Sequence, residues 1–175
     1  YIIAVIPALN ETGTIHDVVA NVLTFADEVI VVDDGSTDET ANRACEAGAV
    51  VHSHEVNKGY DRSIDDGFTL AAKRGATVVF TFDADGQHHP GDIPKMVEPI
   101  VSGGADVVVG QRPTKARISE KLFAAYTRRR LGIADPLCGF KAYRLEVYQD
   151  ICHFDTRSTI GTQLMVEAKK RGYNL

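Results

Sequence analysis

Cysteine is scarce in this chain: Cys45, Cys138 and Cys152 are an odd number, none in C-x-x-C spacing. That leaves no basis for a disulfide framework or a thiolate zinc site and fits a reducing cytoplasm. Positive charge is not in excess. Nineteen Lys and Arg against 24 Asp and Glu give a net charge of −5, so no general electrostatic pull acts toward nucleic acid or anionic lipid. Arg128-Arg129-Arg130 is one local basic cluster. No apolar run approaches the roughly 20 residues needed to cross a bilayer. A signal peptide, repeats, low-complexity tracts and a clear linker are also missing. Tyr1 already stands inside a strand pattern, and both ends read as trimmed. The expectation is one domain over 1–175, with any membrane segments outside it.

What is present is an ordinary globular composition, 44% hydrophobic and 25% charged over 175 residues, enough for one sizeable core. Strand-like and helix-like runs alternate. Ile2 to Ala8, Glu28 to Asp33, Ala49 to His54, Val78 to Phe82 and Asp106 to Gly110 read as strands, with Gly139 to Tyr143 as a short sixth. Helical spacing is carried by Ile15, Val18, Val19, Val22 and Leu23, by Ile64, Phe68 and Ala71, and by Ile93, Met96, Val97, Ile100 and Val101. Ser119 to Leu131 and Gln163 to Lys170 read as later helices. Ser36 with Glu39 matches a capping box, and Gly48 is a fitting stop for the helix it opens. Strands separated by helices predict an α/β, doubly wound, mostly parallel sheet with helices on both faces.

The chemistry gathers where the strands end. Asp83-Ala84-Asp85-Gly86-Gln87-His88 follows the apolar run Thr77 to Phe82. A buried parallel strand delivers its next residues to the carboxyl edge of the sheet, where open α/β folds bind ligands. Two residues of extended chain put Asp83 and Asp85 on one side. Paired carboxylates repel unless a cation lies between them, and oxygen-only ligands suit Mg²⁺ or Mn²⁺ with substrate phosphates. The second strand ends in Asp33-Asp34-Gly35-Ser36 and the first in Pro7-Ala8-Leu9-Asn10-Glu11. Each motif alone is an ordinary turn or helix start. Together they bring Glu11, Asp34 and the Asp83/Asp85 pair to one rim. His52 and His54 alternate along a strand with no partner in view and read as structural; His88 and His89 read as loop residues, His88 near the metal shell or acceptor.

Val5 to Glu11, Val31 to Asp38, Asn57-Lys58-Gly59, Asp83 to His88 and Gly110-Gln111-Arg112 occur in this order. Together they resemble an inverting family 2 glycosyltransferase of the Rossmann-like GT-A fold, and within it the dolichyl-phosphate and bacterial polyprenyl-phosphate sugar transferases. The resemblance implies a hexose donor of GDP-mannose or UDP-glucose type and a polyprenyl or dolichyl phosphate acceptor. It also implies work at the cytoplasmic face of a membrane, in cell-envelope glycan synthesis, with no nucleic acid partner. Pro7, Leu9 and Glu11 would flank the base and ribose, and Val32 and Asp34 would complete that pocket. Asp83, Ala84 and Asp85 would approach the ribose and diphosphate. Asp85 and Gln87, with Asp83 close by, would hold the metal. Arg112 would face the diphosphate or donor sugar, making Asp83, Asp85 and Arg112 the catalytic set. In Asp135 to Arg144, Lys141 and Arg144 are the candidates for an acceptor phosphate, and Cys138 stands where serine is commoner.

Departures from the pattern matter too. Asp61-Arg62-Ser63 replaces a usual Gly-Gly-Ala run, which predicts altered sugar or acceptor selection. The stretch from Arg112 to Asp135 is short for a mobile acceptor loop. Tryptophan is absent, so the Q-x-x-R-W motif of processive synthases is missing. The competing readings are transfer to a glycan or small-molecule hydroxyl, a sugar nucleotidyltransferase, and a non-catalytic nucleotide-binding module. The second normally carries an N-terminal glycine-rich phosphate loop, and Tyr1 to Glu11 has none.

Overall fold

A computed structural model describes residues 1–112, 124–125, 127–129, 132–151 and 162–175. The elements run β1 (Ile2–Ala8), α1 (Ile15–Val22), β2 (Glu28–Asp33), α2 (Thr40–Glu46), β3 (Val50–Ser53), α3 (Tyr60–Lys73) and β4 (Val78–Thr81). A 3₁₀ turn (Pro90–Asp92) leads into α4 (Ile93–Val101), followed by β5 (Val107–Val109), β6 (Lys141–Arg144), α5 (Leu145–Ile151) and α6 (Thr162–Lys170). The six strands form one sheet in the order β3-β2-β1-β4-β6-β5. β1, β2, β3 and β4 pair in parallel, and β6 lies antiparallel between β4 and β5. The mostly parallel α/β sheet expected from the alternation is the one observed.

Strand periodicity divides the core into two layers. Ala4, Ile6 and Ala8 of β1 face α1, α2 and α4 through Val19, Ala44 and Ile100. Ile3 and Val5 face α3, α5 and α6 through Phe68, Val147 and Leu164. β1 and β2 are buried on both faces, which is why they read as continuous apolar runs rather than alternating ones. Among the described residues no helix is long and apolar enough to cross a membrane.

Three local expectations change. Ser36 does not cap α2: the helix starts at Thr40 after Glu39, with no side-chain cap. Instead Ser36 Oγ accepts from the Asn10 N–H at 2.9 Å, joining the loops after β1 and β2. α5 was not foreseen, because Leu145 to Ile151 continues directly from a strand. β4 ends at Thr81, so Ala84 and Asp85 lie in a turn and not in extended chain. Of the helix expected over Ser119 to Leu131, the described residues 124–125 and 127–129 are helical; the rest, with the Lys115–Ser119 segment, lies outside the described residues.

Candidate functional site

The strand order reverses between β1 and β4: β2 and β3 extend to one side, β6 and β5 to the other. The crevice at such a switch point, outside the carboxyl ends of the strands, is where this architecture takes ligands. A cavity of about 320 Å³ lies there. Its lining includes Pro7 and Ala8 at the end of β1, Leu9 and Glu11 after it, Asp34 after β2, and Asp83, Ala84 and Asp85 after β4. Three strand ends therefore do converge. Val32 does not join them; it is fully buried in the core beneath α3.

Asp34 is the anchor of the cavity floor. Its carboxylate accepts from the backbone N–H groups of Lys58 (2.7 Å) and Gly59 (2.9 Å) and meets His54 Nδ1 at 2.7 Å. Burial works to raise its pKa, but the imidazole and the two amides outweigh it and hold the carboxylate below its ordinary range. Gly35 (φ 78°) allows the Asn57 loop to lie against it: a Cβ there would sit 2.8 Å from Asn57 N. The 57–59 loop is thus fixed against the β2 end by backbone contacts. His54, read as partnerless in sequence, is instead the buried link from Asp34 to Asp66 (Nε2 to Oδ2, 3.0 Å). Glu11 Oε2 accepts from Thr14 Oγ1 at 3.1 Å, holding its side chain at the loop that lines the cavity.

Asp83 stands at the boundary of a second, larger cleft of about 1030 Å³, whose lining includes Gln87, His88, Lys95, Gln111, Arg112 and Phe140. Asp83 and Tyr60 line both cavities. Asp83 Oδ1 accepts from the Tyr60 hydroxyl at 3.3 Å, and Oδ2 meets His88 Nε2 at 2.7 Å. Burial, and then the Asp83 charge, push the Tyr60 phenol well above its usual value, so it remains a donor. Phe82 and Phe140 pack on the His88 ring with centroids 5.4 Å away in each case. Asp85 is exposed at the mouth of the smaller cavity, and its Oδ1 accepts from the Gln87 N–H at 2.9 Å. His89 also lines the larger cleft, and its Nδ1 accepts from Gly91 N at 3.1 Å.

Arg112 reaches the larger cleft but is clamped from below. Its Nε and Nη2 donate to the two carboxylate oxygens of Asp135 at 2.9 and 3.0 Å, a bidentate pair in which Asp135 is almost fully buried. Asp135 is the partner of this cleft-lining residue to which the sequence reading gave no role; Arg112 is 23 positions away and carries no local signal. Lys141 pairs across from Thr81 near the carboxyl edge and is buried. Burial pushes its ammonium down to about 8, against the opposing pull of Cys138, Asp83, Asp135 and Asp61. Burial raises the Cys138 thiol, leaving it a poor nucleophile. Arg144 is not part of the site. β6 runs antiparallel, so Arg144 emerges opposite Val78 at the other edge and pairs with Asp106 at 3.1 Å. Of the Asp61-Arg62 departure, Arg62 pairs with Asp66 on its own helix, Asp61 is buried, and neither lines the smaller cavity.

The description of glycosyl transferase family 2 matches residues 3–130. The UDP-N-acetylglucosamine–dolichyl-phosphate N-acetylglucosaminyltransferase of Methanococcus voltae is 36% identical over 126 residues, 62% of this chain and 50% of that protein. The polyprenol monophosphomannose synthase of Mycolicibacterium smegmatis is 31% identical over 169 residues, 85% of this chain and 63% of that one. Among solved structures, glucosyl-3-phosphoglycerate synthase from Mycobacterium tuberculosis, in complex with Mn²⁺, UDP-glucose and phosphoglyceric acid, superimposes with a TM-score of 0.78 at 29% identity. It matches over 97% of this chain and 65% of its own. The chain thus spans between half and two thirds of the length of these proteins. With the match running from β1 through the site-bearing ends of β2 and β4, the chain belongs to glycosyl transferase family 2 and is a glycosyltransferase.

Proposed function

We propose that this glycosyltransferase moves a hexose from a nucleotide diphosphate sugar to a polyprenyl phosphate, inverting the anomeric centre. The observation that carries this reading is the pair of adjoining cavities meeting at Asp83: one between acidic strand ends, the other bearing Arg112 and Lys95. A nucleotide fits the first, with its base and ribose beside Pro7, Leu9, Glu11 and Asp34. The diphosphate then lies toward Asp85 and Arg112, and the acceptor enters from the larger cleft. Polyprenyl-phosphate and dolichyl-phosphate sugar transferases among the relatives support the acceptor class.

Asp83, Asp85 and Gln87 offer only oxygen donors at the donor cavity's edge, a set suited to Mg²⁺ or Mn²⁺; Mn²⁺ accompanies UDP-glucose in the similar synthase. When bound there, such an ion supplies positive charge to the leaving diphosphate. Asp85, held by the Gln87 amide, is the most available of the three, since Asp83 already meets Tyr60 and His88. Arg112, oriented by its bidentate hold on Asp135, keeps its charge facing the cleft where the departing phosphates gather negative charge. A phosphate acceptor is ionised already and needs little help from a base.

A second reading, transfer to a small-molecule hydroxyl, is favoured by the likeness to the synthase crystallised with phosphoglyceric acid. A hydroxyl must lose a proton, and Asp83, at the junction and paired with His88, is the carboxylate for that task. Assay of purified protein with UDP- and GDP-sugars against polyprenyl phosphate and 3-phosphoglycerate, with and without Mn²⁺, separates the two. Asp85→Asn is expected to lower turnover about 10²-fold or more and to remove the metal dependence of nucleotide binding; a variant unchanged in both overturns the metal role.

A further inference from the structure

A second cluster of ligating side chains lies on the outer strand of the sheet. His52 is the third residue of β3, the edge strand, and His54 follows that strand's end. Two positions apart on extended chain, their side chains leave on the same side, and their rings meet edge-on with centroids 5.4 Å apart. Asp66, in the second turn of α3, reaches the same spot, its Oδ2 3.0 Å from His54 Nε2. One ligating atom from each of His52, His54 and Asp66 lies within 4.8 Å of the other two.

We propose that His52, His54 and Asp66 form a site for a divalent transition-metal ion of the zinc class, separate from the oxygen-lined edge of the donor cavity. Two imidazoles and a carboxylate are donors for Zn²⁺ or Co²⁺ and a poor set for Mg²⁺. The second shell is already built. Asp34 meets His54 Nδ1 at 2.7 Å, which orients the ring and aims Nε2 at the cluster, the carboxylate–histidine arrangement found behind metal-bound imidazoles. Access is open from one side, because His52 is exposed while the His54 ring is fully enclosed.

The group that competes is Arg62. Its Nη2 lies 2.8 Å from Asp66 Oδ1 and its Nε 3.0 Å from Oδ2. On binding, the ion replaces the hydrogen bond between His54 Nε2 and Asp66 Oδ2, and the proton of that bond leaves to solvent. Asp66 Oδ2 turns from Arg62 Nε to the ion while Oδ1 keeps Nη2. Two carboxylates, Asp34 and Asp66, against one guanidinium leave the cluster able to accept the added positive charge. Three protein ligands leave one position for water.

The test is a Co²⁺ titration of the full chain in the Asp85→Asn background, which removes the best ligand of the donor-cavity ion. Expected is one equivalent of Co²⁺ with the intense visible absorption of a four- or five-coordinate ion, displaced by Zn²⁺. Adding His52→Ala should abolish that band and weaken binding about tenfold or more. Because His52 is exposed, the metal-free melting temperature of that variant should not change; Asp66→Asn should abolish the same band from the other element. The absence of the band in the Asp85→Asn protein overturns the proposal. So does a band that survives either His52→Ala or Asp66→Asn.

Discussion

The two sides of the switch point hold their charges in opposite ways. On the β1–β2–β3 side, the strand-end carboxylates lean chiefly on backbone amides: Asp34 on Lys58 and Gly59, with the one imidazole of His54 behind it, and Asp33 on Ser36 at 3.1 Å. On the β4–β6–β5 side, charged side chains answer one another or sit in the core: Arg112 against Asp135, Asp83 against His88, and Lys141 buried outright. Backbone donors cannot change charge, so the first arrangement fixes shape. Side-chain pairs depend on protonation and rotamer, so the second arrangement can respond to what binds. A rigid cradle beside a responsive cleft suits a reaction in which one substrate is gripped and the other brings or develops charge.

The sharpest way to break this contrast is to remove the carboxylate on the rigid side. Asp34→Asn withdraws one charged acceptor from two amides and from a buried imidazole. Leaving buried donors with a weaker acceptor costs about 1–3 kcal/mol, which denaturant unfolding would read. Donor KM should rise about tenfold or more, equivalent to at least roughly 1.4 kcal/mol of binding, with a smaller change in kcat. The wild-type contribution is complete above the ordinary carboxylate pKa and is lost as pH falls through Asp34's lower folded value, because its pKa is depressed on folding. Asp34→Asn should therefore flatten the acid limb of the stability profile. A variant with wild-type donor KM would show that the 57–59 loop is held by something else.

A smaller perturbation probes the responsive side. A Cβ on Gly139 would lie 2.6 Å from Asp83 Oδ2, so Gly139→Ala must displace that carboxylate from His88. Overpacking of this kind costs about 1–3 kcal/mol. Turnover should fall by about an order of magnitude, the equivalent of roughly 1.4 kcal/mol, while metal-free nucleotide affinity, measured by calorimetry, falls less. Equal losses in both would mean that the two cavities are not mechanically separate.

The same division governs what the sequence made legible. Each βα unit of the rigid side announces itself within about ten residues: an apolar run, an acidic turn, a helical stripe. β1 and β2 are observed over the residues expected of them, and Glu11, Asp34 and Asp85 come to one cavity. The other side is assembled from distant partners. Nothing near Arg112 points to Asp135, and nothing in Lys141 to Arg144 says that the strand runs backwards. That one reversal puts Lys141 near the carboxyl edge, buried and lining neither cavity, and Arg144 at the far edge. Val32 lies outside the cavity lining for a related reason: a strand residue adjacent to a motif alternates inward, and its position in the core follows from pleat rather than from chemistry. His54 reads as structural until the fold supplies Asp34 and Asp66 at its two nitrogens.

The smallest expected effect is also the one that most directly tests responsiveness. Lys141 titrates near 8 in the folded protein and near 10.5 when exposed. Between those values the unfolded chain binds more protons, so stability rises with pH through that window while the folded ammonium loses its charge. If that charge helps hold an anionic acceptor, kcat/KM should decline severalfold as pH rises through about 8 even as the melting temperature holds or increases. The opposite movement of activity and stability separates this titration from simple alkaline unfolding, which lowers both. In Lys141→Met both trends should disappear. An alkaline activity limb that persists in the variant would assign the titration to another group and leave Lys141 a buried structural cation.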